Sequence, residues 1–89
     1  MTDSAGSSIF YASVEGEPTR AAALSQLVWE INERVEDAQG EVEKALSKWA
    51  DVWVSSSYTG VSHSVEQNAE GTYDGTITAT VTMRHHSND

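Results

Sequence analysis

Cysteine is absent from this 89-residue chain, so disulfides and thiolate metal sites are excluded, and a reducing compartment is the simpler setting. Proline occurs once, at Pro18. Positive charge is scarce: five basic side chains face fourteen acidic ones, the net charge is -9, and the lysines are Lys44 and Lys48 alone. Such a balance opposes direct nucleic-acid binding, because phosphates demand Lys and Arg, and it opposes docking on anionic membranes. It permits a basic protein partner, or simply a solvated acidic surface, and an acid-rich, lysine-poor exterior suits high-salt cytoplasm. Long apolar runs are missing too. No stretch approaches the roughly 20 residues that span a bilayer. Met1 to Ser8 is polar and lacks the basic start and apolar run of a secretion signal, so a cytoplasmic location is expected.

What the chain does contain is an apolar pattern at steps of four and three. Leu24, Val28, Ile31, Val35, Ala38, Val42, Ala45, Trp49 and Val52 follow it without a slip, and Leu27 and Leu46 widen it. This predicts one helix from Pro18 to about Ala50 with a single buried stripe. Pro18 suits a first helical turn, where its missing N–H is no loss. Gly40 is a soft point costing about 1 kcal/mol relative to Ala, but the stripe keeps phase across it. Glu30 and Arg34 stand four apart and can pair. Glu33, Glu36, Asp37, Glu41 and Glu43 make the outer surface acidic.

The flanking segments alternate with period two. Residues 8–15 place Phe10, Ala12 and Val14 on one face and Ile9, Tyr11 and Ser13 on the other, and Gly16 ends the strand. From Val52 to Glu66 the phase changes: Val52, Val54 and Tyr58 are even, Val61 and Val65 odd. A strand cannot do this without an extra residue, which predicts a β-bulge at Thr59-Gly60. Gln67 to Thr72 is the turn. Tyr73 to Arg84 then alternates, with Tyr73, Ile77, Ala79, Val81 and Met83 on one side and Asp74, Thr76, Thr78, Thr80, Thr82 and Arg84 on the other. The helix spans about 46 Å and this strand about 40 Å, so one helix can cover the hairpin.

The expected fold is therefore α+β, in the order β-α-β-β: one long helix on a three-stranded, mainly antiparallel sheet. Residues 1–7 and 85–89 are expected tails around a single domain, 8–84. The helical crossover favours parallel first and second strands with the third between them. One sheet face then lacks a helix and carries Ile9, Tyr11, Trp53, Ser55, Ser57 and the threonines 76, 78, 80 and 82. Solvent exposure, a subunit contact and a ligand groove all remain open for that face. A chain this small, without staples, often completes its burial with partner subunits.

No catalytic signature stands out. His85 and His86 are adjacent and point to opposite faces of an extended chain, and a pairing of Val65 with Tyr73 puts His63 near Gly75, far from both. No zinc-type or calcium-loop spacing is present. Ser55-Ser56-Ser57 lacks a nucleophile elbow. Gly16-Glu17-Pro18 enters the helix but is acidic, the wrong charge for a phosphate cradle. Glu15, Glu17, Asp51 and Glu70 could pair as acid and base, but no spacing brings them together. Catalytic, cofactor and metal residues are accordingly expected to be none. Among the aromatics, Trp49 reads as core. Trp53 reads as a corner residue between helix and strand. Trp29 lies off the stripe on the acidic face and reads as a contact with another chain.

The stretch from Ala21 to Arg84 resembles the SIMPL-domain family. The similarity lies in the long helix with Leu24, Asn32, Val35 and Leu46, the handover Trp49-Ala50-Asp51-Val52, the strand Val54-Ser55-Ser56-Ser57-Tyr58, Gly71-Thr72-Tyr73 and the alternating Ile77-Thr78-Ala79-Thr80-Val81. Dodecins, small flavin-binding shells with a shorter helix, share the element order. The SIMPL resemblance implies β-α-β-β units that build homo-oligomers, often exported, without established catalytic residues. This chain holds one such unit.

Two functions follow as expectations. The first is a non-enzymatic module that self-associates or binds protein, with candidate interface residues Ile9, Tyr11, Trp29, Glu30, Glu33, Glu36, Asp37, Trp53, Thr76, Thr78, Thr80 and Thr82. The alternative is an acidic inhibitor or decoy for a basic protein surface, as in viral counter-defence. A flavin-type small-ligand binder is the third.

Overall fold

The computed structural model describes residues 4–48 and 52–87. Strand β1 (Ser4–Glu17) is followed by helix α1 (Arg20–Leu46) and the strands β2 (Val52–Gln67) and β3 (Tyr73–Ser87). The three strands form one sheet in the order β1-β3-β2, with β3 antiparallel to both neighbours. The protein is thus α+β, with the crossover helix on one face and the third strand in the middle, as the chain order predicts.

The bulge sits where the phase change requires it. Tyr58 pairs with Val81 and Gly60 with Thr80, which leaves Thr59 as the extra residue. Val54 and Tyr58 before it, and Val61 and Val65 after it, therefore share the helix side of the sheet.

The turns have local causes. Gly16 and Gly71 hold φ of 69° and 87°, a region that side chains other than glycine rarely enter. Asn68 organises the β2–β3 loop: its Oδ1 accepts from the Glu70 and Thr72 amides, and its Nδ2 donates to Thr72 Oγ1 and Asp74 Oδ1. Asp74 Oδ1 also accepts from the Gly16 amide at 3.0 Å, tying the β1–α1 turn to the hairpin loop.

Several boundaries differ from the sequence expectation. The helix starts at Arg20 rather than Pro18, because Thr19 is the N-cap and its hydroxyl accepts from the Ala22 amide at 3.0 Å. It ends at Leu46 rather than Ala50, where the Ser47 hydroxyl donates to the Lys44 carbonyl. Residues 4–7 and 85–87, expected as tails, extend β1 and β3. Their composition carries no apolar signal, so backbone pairing holds them: Ser7 faces Thr82 and Val54 faces His85. The hairpin register is shifted from the expected one, with Val65 opposite Gly75 and Gln67 opposite Tyr73.

The buried helix face also differs. Ala23, Leu27, Ile31 and Val35 are buried, whereas Val28 and Val42 are exposed and Leu24 is half-buried. The stripe inferred from the sequence repeats every 3.5 residues on average, and such a line drifts around a straight 3.6-residue helix. Contact with the sheet instead follows the i+4 ridge, which is inclined to the helix axis. Gln39 is the next residue on that ridge. Its Nε2 donates to the Val54 carbonyl at 2.9 Å, and its Oε1 accepts from the Ser56 hydroxyl. Trp49 lies outside the described residues, so its expected core role has no structural counterpart here, and the same holds for Asp51. Beneath the ridge lie Ala12, Val14, Ile77, Ala79 and Val81, all buried. Gly75 lets Leu27 reach the sheet: a Cβ at that position would stand 2.9 Å from Leu27 Cδ1.

Candidate functional site: an uncovered sheet face

Residues directly opposite in an antiparallel pair share a face, so the register defines what the bare side of the sheet presents. Tyr11 faces Thr78, Ile9 faces Thr80 and Ser7 faces Thr82, and across the other ladder Trp53 faces His86, Ser57 faces Thr82 and Ser64 faces Thr76. Among the described residues, no helix covers this side. Ile9 keeps 74 % of its surface exposed, Tyr11 55 % and Trp53 50 %. The seven sheet residues among the candidate interface positions, Ile9, Tyr11, Trp53, Thr76, Thr78, Thr80 and Thr82, therefore lie on one face. Trp29, Glu30, Glu33, Glu36 and Asp37 lie on α1, in the opposite layer. The structure divides the twelve positions into two separate surfaces.

The far end of the face is ordered by side chains. The Trp53 indole stacks on the His86 ring, with centroids 3.9 Å apart and planes 18° from parallel. Ser55 Oγ lies 3.1 Å from His86 Nε2. Trp53 is thus on the open face, where the alternation expects it, and not at a corner between helix and strand, and His86 is half-buried within β3 rather than part of a tail. In the middle, Ser7 Oγ and Thr82 Oγ1 are 3.2 Å apart, and the Thr59 hydroxyl of the bulge donates to the Thr80 carbonyl at 3.3 Å. At the turn end, a shallow recess of about 340 Å³ crosses the strands and is lined by Tyr11, Ser13, Ser64, Glu66 and Thr76. Polar groups there are short hydroxyls bordered by carboxylates, with aromatic and aliphatic anchors farther along.

The other candidate groups are placed as follows. His63 pairs with Ile77 on the helix side and is exposed. His85 and His86 fall on opposite faces of β3, opposite Val54 and Trp53 respectively. Glu15 and Glu70 do come together, with Asp74, around a recess of about 420 Å³ at the loop end; Asp74 is already engaged by Gly16 and Asn68. Among the described residues, no group of three or more His, Cys, Asp or Glu side chains could hold a metal ion. Nor is any helix among them long and apolar enough to cross a membrane.

On the helix layer, Trp29 is 58 % exposed and borders a recess with Ala21, Leu24, Val28 and Asn32. Asn32 Oδ1 accepts from the Tyr58 hydroxyl. Partial desolvation, and next the nearby Glu36 carboxylate, push the Tyr58 phenol above its ordinary pKa of 10.0. The helix-side recess is not legible from the sequence stripe, which assigns Leu24 and Val28 to the core. The signal that could find it is the i+4 row Ala23, Leu27, Ile31, Val35, which moves the core centre off those two residues. Compared with protein-family models, curated proteins and solved structures, the chain finds no match in any of the three.

Proposed function

We propose that this chain is a non-enzymatic interaction module that pairs with a second copy of itself through the uncovered sheet face. The observation that carries this reading is the set Ile9, Tyr11 and Trp53, each at least half exposed on one continuous face. Large side chains of this kind supply most of the energy at interfaces. The shape supports it. A compact protein of 9.7 kDa exposes about 5,100 Å², whereas this chain exposes 5834 Å². Its radius of gyration is 16.5 Å, against about 12 Å for a compact domain of this length. The surplus area is close to the roughly 800 Å² that each partner gives up in a standard interface. Two such faces would stack about 10 Å apart, with the threonine methyl groups between the anchors.

The likeness of the strand and helix pattern to SIMPL domains, which build homo-oligomers, agrees with this reading. A cytoplasmic setting belongs to it on the strength of the cysteine-free composition.

The test is solution mass by light scattering over a concentration series reaching about 100 µM, a range that detects dissociation constants tighter than about 10 µM. The expected mass is twice 9.7 kDa, with the dimer strengthened by added salt, which screens the carboxylates of Glu15, Glu66 and Asp74 at the turn end of the face. Ile9→Lys and Tyr11→Lys are expected to give monomers with an unaltered far-UV spectrum, since both side chains are exposed in the single chain. A monomer throughout the series, or a dimer indifferent to Ile9→Lys, would refute the reading.

A further inference from the structure

We propose that the flank of α1 beside β2 is a second docking surface, and that its partner is a cationic amphipathic segment of another protein. The surface is separate from the bare sheet face and stands whether or not that face pairs.

Ala21, Ser25, Val28, Asn32, Glu36 and Gln39 follow one another at steps of three and four, which places them on one row along the helix. Arg20 donates to the Val65 carbonyl, Asn32 accepts from Tyr58 and Gln39 donates to the Val54 carbonyl. The row therefore runs alongside β2, which is an edge strand. Two recesses lie end to end on it. The first, about 550 Å³, is formed by Leu24, Val28 and Trp29 with small or polar neighbours. The second, about 390 Å³, is lined by Glu36, Gln39, Gly40, Glu43, Lys44 and Ser47. Polarity thus changes along the helix, from an apolar recess to one with two carboxylates and a lysine.

Val28 and Trp29 are 44 % and 58 % exposed. Tyr58, which Asn32 touches, and Val61, between it and the Val65 carbonyl that Arg20 reaches, are exposed on the helix side of β2. Val28 and Trp29 thus leave apolar surface uncovered on the helix. Gly40 adds an independent sign. A Cβ there would meet nothing within 4 Å, so packing within the chain does not require glycine. Its absence of a side chain leaves the helix backbone open to close approach, at a cost of about 1 kcal/mol in helix propensity.

Charge selects the occupant. A second copy would bring its own net charge of -9 to carboxylates at Glu36 and Glu43, and like charges brought together oppose docking. A segment with an apolar anchor in the Val28–Trp29 recess, and Lys or Arg beside the acidic end, complements both halves. If it is helical, its cationic positions lie about 8 and about 15 residues from the anchor, the spacing from Val28 to Glu36 and to Glu43.

The probe is a synthetic helical Leu/Lys peptide of about 18 residues, with a control in which each Lys is Gln, titrated into the full chain at about 50 mM salt. Affinity is read by calorimetry and location by backbone amide shifts. Shifts confined to residues 21–43 and the adjoining part of β2 are expected, with affinity lost about tenfold for the Gln peptide and about tenfold for Trp29→Ala. Because Trp29 is more than half exposed, that variant keeps the fold, and Glu36→Gln with Glu43→Gln provides a second one that leaves packing alone. Binding to the Gln peptide as tightly as to the Lys peptide would overturn the proposal. So would an affinity for Trp29→Ala within twofold of the parent, or shifts that gather on Ile9, Tyr11 and Trp53.

Discussion

Gly75 and Leu27 form a contact whose energetics can be tested as a pair. A Cβ at residue 75 would stand 2.9 Å from Leu27 Cδ1, 3.1 Å from the Ser64 carbonyl oxygen and 3.1 Å from Val65 Cγ2. Gly75→Ala therefore overpacks the junction of β3 with α1, and such insertions cost about 1–3 kcal/mol. Leu27 is fully buried. Leu27→Ala removes three apolar carbons at about 0.8 kcal/mol each, and the cavity left behind raises the loss to about 3–4 kcal/mol. In the double variant the new methyl group enters the space that Leu27 vacated, so one clash disappears and part of the cavity fills. The Ser64 carbonyl still stands in the way, which keeps the rescue partial. The double variant is expected to be more stable than additivity allows by about 1 kcal/mol. Urea unfolding followed by far-UV circular dichroism measures all four corners of the cycle. With a slope of about 1–2 kcal/mol per molar urea, Gly75→Ala lowers the midpoint by about 0.5–3 M and Leu27→Ala by about 1.5–4 M. Additivity within about 0.5 kcal/mol would show that residue 75 does not press on Leu27. A comparison variant checks the burial ridge itself: Val28→Ala is expected to cost less than about 1 kcal/mol, since Val28 is 44 % exposed.

Three further outcomes are expected. Thr19→Ala removes the hydroxyl that accepts from the Ala22 amide, and should lower stability by about 1 kcal/mol in the same denaturation assay. Gly40→Ala meets no neighbour within 4 Å, and should raise the melting temperature by about 4–8 °C, the equivalent of about 1 kcal/mol in a domain of this size. Tyr58 should titrate above the ordinary tyrosine range in an absorbance titration of the phenolate, and Glu36→Gln should bring it back toward 10.0. Its pKa is raised on folding, so the stability it contributes is complete below pH 10 and is lost as pH rises through the folded-state value.

The architecture was legible because two patterns each have one reading. The clean alternation from Tyr73 to Arg84 marks a strand with one apolar side. The even-to-odd change between Tyr58 and Val61 requires an extra residue, and Thr59 is that residue. The members of the bare face follow from the same alternation, so Ile9, Tyr11 and the threonines could be grouped before any coordinates. The helix face was less legible. Leu24, Val28 and Val42 satisfy a heptad as well as any core residue does, and only the inclination of the i+4 ridge against the sheet shows that Ala23 and Leu27 displace them. Helix packing angle is a property of the two surfaces together, and a one-dimensional pattern does not contain it. Strand ends were hidden for a different reason. Ser4 to Ser7 and His85 to Ser87 extend the ladder through backbone hydrogen bonds, which leave no mark in side-chain hydropathy. Trp53 falls on the bare face by the same alternation, but its stacking on His86 was hidden because it depends on that unseen extension.

Ser4 lies opposite His85, so the chain enters β1 and leaves β3 at the same end of the sheet. Tension applied through the residues just outside this pair would load the ladder one rung at a time, peeling β1 away like a zipper. It would not shear all the rungs at once. A tandem repeat of the unit could also be joined there by a short tether, because exit and entry points stand side by side.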